Sequence, residues 1–203
     1  MPSVTARGLA AACTNLFVAG YFVFFAYAHG LSFAARQRPS IAIIVVLEAL
    51  FALFFLLRRE ADRSSSSLWD WVTAVASTVA PLMLRPGPGS DRPVGQVIQV
   101  LGGLFAVYAV LALNRSVGVV PAHRGVKRSG PYRWVRHPLY AAYVVSCVGY
   151  LLNHTTARNV AVVATSVALW LVRIANEERF LSRYPEYAAY SERTRWRLIP
   201  FVF

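Results

Sequence analysis

Hydrophobic residues in this chain come in long blocks separated by short polar connections. The blocks cover residues 9–28, 41–57, 68–84, 94–113, 139–152 and 160–174. A full membrane span needs about 20 residues, with a range of roughly 17–25. The first four blocks reach that length. The last two are shorter and predict a tilted or partly embedded helical hairpin turning near residues 153–159. The pattern as a whole predicts an all-α polytopic membrane helix bundle of about six apolar segments.

Composition agrees with that class. Hydrophobic residues make up 57% of the 203 positions and charged residues only 15%, where a soluble domain carries about 25% charged. The first block could be a secretory signal, since Ala26-Tyr27-Ala28 resembles a small-residue cleavage site. Its apolar run exceeds the roughly 7–15 residues of a signal core and further spans follow, so a retained first helix is expected.

The net charge of +12 would suggest nucleic acid in a soluble protein, but its placement points elsewhere. If all six blocks cross the bilayer, 16 of the 21 Lys/Arg residues fall on one side and 5 on the other. The richer side holds both termini and the 114–136 loop, which the positive-inside rule places in the cytoplasm. The excess charge then sets orientation and meets anionic lipid, with no nucleic-acid partner implied. Cys13 and Cys147 lie in separate apolar blocks and make neither a disulfide framework nor a zinc site. Packing is expected of both, and no metal centre is expected anywhere.

Two parts of different character follow. Residues 1–113 read as a four-helix transmembrane scaffold, with a Ser run in the 58–67 connection and Pro-Gly-Pro-Gly in the 85–92 connection marking turns. Residues 114–203 hold nearly all the suggestive chemistry. Within the scaffold, Asp70 falls near a helix start, where its charge suits the dipole and can reach water. Glu48 lies deeper, where a carboxylate is expensive. A hydrogen bond to a neighbouring helix is its expected role, with a proton or substrate role as the alternative. Gly102-Gly103 is expected to permit close helix packing.

The densest chemistry runs from Gly130 to Tyr140, a cationic and aromatic stretch between two apolar blocks. His137 precedes a proline and is biased away from helical backbone, while Pro138 suits the first position of the next helix. Arg133, Arg136 and His137 therefore sit beside a helix N-terminus, which favours an anion; anchoring to lipid phosphates is the bland alternative. Tyr140, Tyr143, Cys147 and Tyr150 follow at helical spacing, and Tyr140 is the one nearest the proposed anion site. At the end of the last block, Arg173 and Glu177 have the spacing of an ordinary helix salt bridge. Glu178 points about 100° away and could face a cationic group. An arginine of the 191–200 tail could fold back onto a carboxylate or phosphate.

Together these residues form two linked motifs. The stretch Gly130-Pro131-Tyr132-x-x-Val135-Arg136-His137-Pro138-x-Tyr140 resembles the signature of the isoprenylcysteine carboxyl methyltransferase and phospholipid methyltransferase superfamily. Glu177-Glu178-x-x-Leu181, Glu186-Tyr187-x-x-Tyr190 and Arg197-x-x-Pro200 resemble that family's downstream motif, and the likeness covers roughly residues 114–200. It implies an integral membrane enzyme, here in a bacterial inner membrane, that encloses S-adenosylmethionine (SAM) near the cytoplasmic face. Carried over by position, Arg136, His137, Tyr140 and Glu178 contact or shape the cofactor site, with Tyr132 and Pro138 beside them. Glu178 would face the methionine ammonium, and Arg197 would lie near the methyl acceptor, making these two the catalytic pair. Tyr184-Pro185 departs from the Phe-Gly of many relatives, which bears on the path of the C-terminal helix.

The resemblance implies a lipophilic acceptor, an isoprenylcysteine-type carboxylate first and a phospholipid amine or small thiol as alternatives. Membrane sterol reductases, which use NADPH, share the Arg-His-Pro motif but typically have Asn where this chain has Leu139. A non-enzymatic lipid-binding protein would leave His137 and Glu178 without a role.

Overall fold

A computed structural model describes residues 4–85 and 92–203. All six apolar blocks are helical. They form α1 (Val4–Arg36), α2 (Pro39–Leu57), α3 (Leu68–Val79), α4 (Pro93–Leu113), α5 (Pro138–Asn153) and α6 (Ala157–Leu181), followed by a short α7 (Pro185–Arg193). The Pro-Gly-Pro-Gly stretch of the 85–92 connection lies outside the described residues. A two-residue antiparallel ladder joins β1 (Arg63–Ser64) to β2 (Ala122–His123). The described chain is otherwise helices and connections, as the hydrophobic pattern predicts.

Two helices differ in length from their blocks. Pro81 lacks an N–H to donate, so the third block ends as an α-helix at Val79 and continues as a 3₁₀ turn over Ala80–Met83. In contrast, α6 runs seven residues beyond its apolar block, to Leu181. Asn176, Glu178 and Arg179 prolong it because each finds a partner in the tertiary structure. Asn176 Nδ2 donates to Thr73 Oγ1 at 3.0 Å, and Arg179 reaches Asp70 at 3.4 Å. The sixth helix is therefore long enough to span, whereas the sequence reading made it short. Among the described residues, three helices are long and apolar enough to cross a membrane, namely Ala12–Ala35, Pro93–Ser116 and Ala157–Leu181.

Helix packing is closest between α4 and α5, through small residues. A Cβ added to Gly102 would lie 2.5 Å from Ser146 Oγ, and one on Gly149 would lie 2.6 Å from the Gln99 backbone nitrogen. Gly103 meets Ile43 of α2 in the same way, so the Gly102-Gly103 expectation holds. One apolar cluster gathers Ala19, Phe54, Phe55, Val110 and Val117; a second gathers Tyr140, Cys147, Trp170 and Ile174. Cys147 packs as expected, but Cys13 is exposed on the outer side of α1. Large apolar side chains such as Phe17, Leu101 and Trp69 also face outward, a surface suited to lipid rather than water.

The helix ends sort into two layers. At one end, Asn159 accepts from the Arg85 N–H and donates to the Arg85 carbonyl, and Asn153 accepts from the Arg92 N–H. At the other, the end of α2 joins the turn after α4, where Arg59 N–H donates to the Arg115 carbonyl at 2.9 Å. This second layer also holds the small ladder, the start of α5 and the end of α6. His123 ties it to α7: Nδ1 lies 2.7 Å from Asp62 and Nε2 2.8 Å from Glu186, with the ring stacked on Tyr184 at 4.1 Å. Asp70, expected to reach water, is instead buried here beneath Ser65 and Arg179.

Candidate functional site

Gly130 opens the site with φ of 60°, a left-handed conformation that costs glycine little. A 3₁₀ turn over Gly130–Arg133 then buries Pro131 and Tyr132. His137 caps α5 at φ −128° and ψ 58°, and Pro138 takes the first helical position, as the His-Pro pair predicts. The tail closes over this junction. Arg136 N–H donates to the Trp196 carbonyl and His137 N–H to the Arg197 carbonyl, both at 2.9 Å. Tyr190 of α7 holds the same turn from below, its hydroxyl donating to the Tyr132 carbonyl at 2.6 Å. The Tyr184-Pro185 departure has a simple local effect. Pro185 occupies the first turn of α7 and starts that helix.

The two motifs meet at Glu178, which is buried. Arg136 Nη1 lies 3.0 Å and His137 Nε2 3.1 Å from its Oε1, while Arg197 Nε lies 2.8 Å from its Oε2. Four of the predicted residues thus form one ion cluster, joining positions far apart in the chain. Arg133 is not among them. It is exposed and lies over the Trp134 ring. Pro138 is fully buried as a helix start.

Beside this cluster lies a cavity of about 590 Å³, within the range of roughly 300–1,000 Å³ typical of ligand sites. Tyr132, Arg136, His137 and Tyr140 line it, and so do Arg173 and Glu177. The remaining wall is largely apolar and comes from α1, α2, α3 and α4, together with the 116–124 loop, further residues of α5 and Trp170 of α6. The supposed scaffold therefore builds half of the chamber. The Arg173–Glu177 salt bridge is not among the ion pairs of the described residues. Arg173 instead donates to the Ser77 hydroxyl and to the Gly118 and Val119 carbonyls, and sits over the Tyr140 ring. Glu177 is left on the cavity wall. The spacing signal failed here because the loop at 118–119 competes for the same guanidinium.

Arg124 is a further cavity residue, one that no motif or spacing singled out. Burial lowers its pKa to about 10, helped by nearby Arg58 and opposed by Glu177. Its guanidinium fills the space beside Gly118, where a Cβ would lie 2.6 Å from Nη1. Burial likewise raises Tyr132 well above the ordinary phenol range, with Glu177 adding to the effect. Tyr132 is therefore a neutral hydrogen-bonding group and not a base. Arg136 of this wall has a buried Nε without a partner among the described residues.

These features fit a zwitterionic cofactor such as SAM. An unpartnered buried guanidinium N–H suits a carboxylate, Glu177 on the cavity wall offers negative charge for an ammonium, and the adjoining space is large and apolar; Glu178 lies outside the lining, held by its three cations. Among the described residues no group of three or more His, Cys, Asp or Glu side chains could hold a metal ion.

Two curated relatives and a family model match this chain. The cobalt-zinc-cadmium resistance protein CzcN of Cupriavidus metallidurans is 28% identical over 165 residues, covering 80% of this chain and 64% of the relative. The nickel-cobalt-cadmium resistance protein NccN of Alcaligenes xylosoxydans xylosoxydans is 29% identical over 167 residues, with 80% and 65% covered. This chain thus spans just under two thirds of the length of these relatives. Residues 97–183, which supply most of α4, the 114–136 loop, α5 and α6, match the family described as isoprenylcysteine carboxyl methyltransferase (ICMT).

Proposed function

We propose that the protein is an integral membrane methyltransferase that uses SAM to methylate a lipophilic acceptor, first of all a carboxylate of the isoprenylcysteine type. The observation that carries the reading is the cavity wall shared by Arg136, His137, Tyr140 and Glu177, backed by the Glu178 cluster and continuous with an apolar chamber. One end suits a zwitterion and the other a lipid chain. The ICMT match supports methyl transfer as the chemistry.

Bound SAM would supply a sulfonium methyl group already activated for transfer, so the protein's task is placement. Fixing two reactants in line can contribute about 7–11 kcal/mol. Arg136 offers its free Nε–H to the cofactor carboxylate. Glu178 has about four acceptor positions, and Arg136, His137 and Arg197 occupy three, which leaves one on Oε2 for the ammonium. Tyr140 and Tyr132 form the adjoining wall, and Pro138 fixes the start of the helix that carries Tyr140. Arg197, half-exposed and tied to Glu178, would steer an acceptor carboxylate, as the family pattern implies. Such an acceptor reaches the methyl group already deprotonated and needs no general base. The cavity-facing apolar side chains keep water away from the sulfonium.

The deciding experiment incubates purified protein in detergent with methyl-labelled SAM and a panel of lipophilic carboxylates, thiols and amines. The label is expected in the carboxylates, and calorimetry is expected to show SAM binding. Binding of NADPH with no binding of SAM would overturn the reading. Both termini and the 114–136 loop are proposed to face the cytoplasm of a bacterial inner membrane.

A further inference from the structure

The functional reading uses the charged end of the cavity and leaves unused a carboxyl group farther in. Ile44, Leu47, Phe51 and Phe55 of α2 line the cavity at spacings of three and four residues, which is one helical stripe. Glu48 lies on the same stripe and also lines the cavity. From Glu48 to the end of α2 at Leu57 the helix rises about 14 Å. Leu57 belongs to the site layer, where its carbonyl accepts from Arg115 Nε. A carboxyl group therefore faces an apolar chamber about 14 Å from the chamber's charged end.

His29 of α1 braces this group. Its Nδ1 lies 3.0 Å from both Glu48 oxygens. A single ring N–H shared between two oxygens fills only a small part of a carboxyl group's acceptor capacity. Imidazolium with carboxylate and imidazole with carboxylic acid are both net neutral, so the pair is tolerable among apolar helices. Tyr21 and Gln99 add polar side chains to the same lining. A purely hydrocarbon occupant would cover this carboxyl group without satisfying it, which carries a desolvation cost. An occupant bearing a donor at that depth would not.

We propose that Glu48, braced by His29, is a specificity-determining residue that receives a hydroxyl or amine carried on the lipophilic part of the acceptor, about 14 Å from the methylated end. The inference rests on the methyltransferase reading for what happens at the charged end. Among lipophilic carboxylates it favours those that carry a second, hydrogen-bond-donating group on the lipophilic part.

The test is equilibrium binding to the purified protein in detergent, without SAM, read by tryptophan fluorescence. The probes are fatty acids of graded chain length, either unsubstituted or carrying a terminal hydroxyl or amine. Substituted acids are expected to bind tightest at one chain length. Glu48→Leu should remove that preference, weakening those acids about tenfold while the unsubstituted acids bind as tightly as before or more tightly. Equal affinity for both sets in the unaltered protein, a preference that survives Glu48→Leu, or no binding of any acid would overturn the proposal. Glu48→Gln keeps the residue's size and answers the same question if the leucine variant fails to fold. SAM binding is measured separately, so its absence would sink the methyltransferase reading while the fatty-acid comparison stays readable.

Discussion

Glu177 and Glu178 are neighbours in sequence with different surroundings. Glu178 is buried against Arg136, His137 and Arg197, whereas Glu177 is half-buried on the cavity wall with Arg124 nearby. Removing the charge of Glu178 takes the counter-charge from three cations and the proposed partner from the cofactor ammonium. Glu178→Gln should therefore weaken SAM binding at least tenfold by calorimetry, while Glu177→Gln should have a smaller effect. Equal losses would refute the division of roles. Tyr190 gives a control away from the cofactor. Tyr190→Phe removes the hydroxyl that holds the Tyr132 carbonyl and should cost about 1 kcal/mol of stability in a detergent unfolding titration. SAM affinity should change little.

At the scale of elements, the α4–α5 seam sets how precisely the site is held, because α5 begins at His137. Small residues let the two backbones approach, and at Gly149 an added Cβ would collide with the backbone of Gln99 and Gly95. Gly149→Val should cost about 1–3 kcal/mol by overpacking, read as a lower midpoint of thermal unfolding in detergent. The same seam explains where sequence reading succeeded and failed. Gly102-Gly103 signalled close packing by residue type alone. The extension of α6 beyond its apolar block was not legible, because Asn176 and Arg179 gain their partners from α3, about a hundred positions earlier.

For the molecule as a whole, the two layers of helix ends make the orientation testable. Ser129 is exposed in the layer that holds the site, and Thr155 is exposed in the opposite layer. In a background with Cys13 and Cys147 replaced by serine, Ser129→Cys should react with an impermeant thiol reagent only from the cytoplasmic side. Thr155→Cys should react only from the other side. Labelling of both from one side would show that α5 and α6 form a hairpin that does not cross the bilayer.

Sequence alone determined the helical class, the position of all six apolar helices and the two motifs, because apolar run length and proline placement act locally. It also brought Arg136, His137, Tyr140, Glu178 and Arg197 forward as one group by their likeness to a family pattern. The tertiary structure decided which atoms meet. It turned Arg133 outward, gave Arg173 to the 118–119 loop, left Glu177 on the cavity wall and placed Glu48 on the same lining as the site. None of these follows from spacing along one helix. Each depends on which distant segment competes for a charge, and only the packed helices settle that.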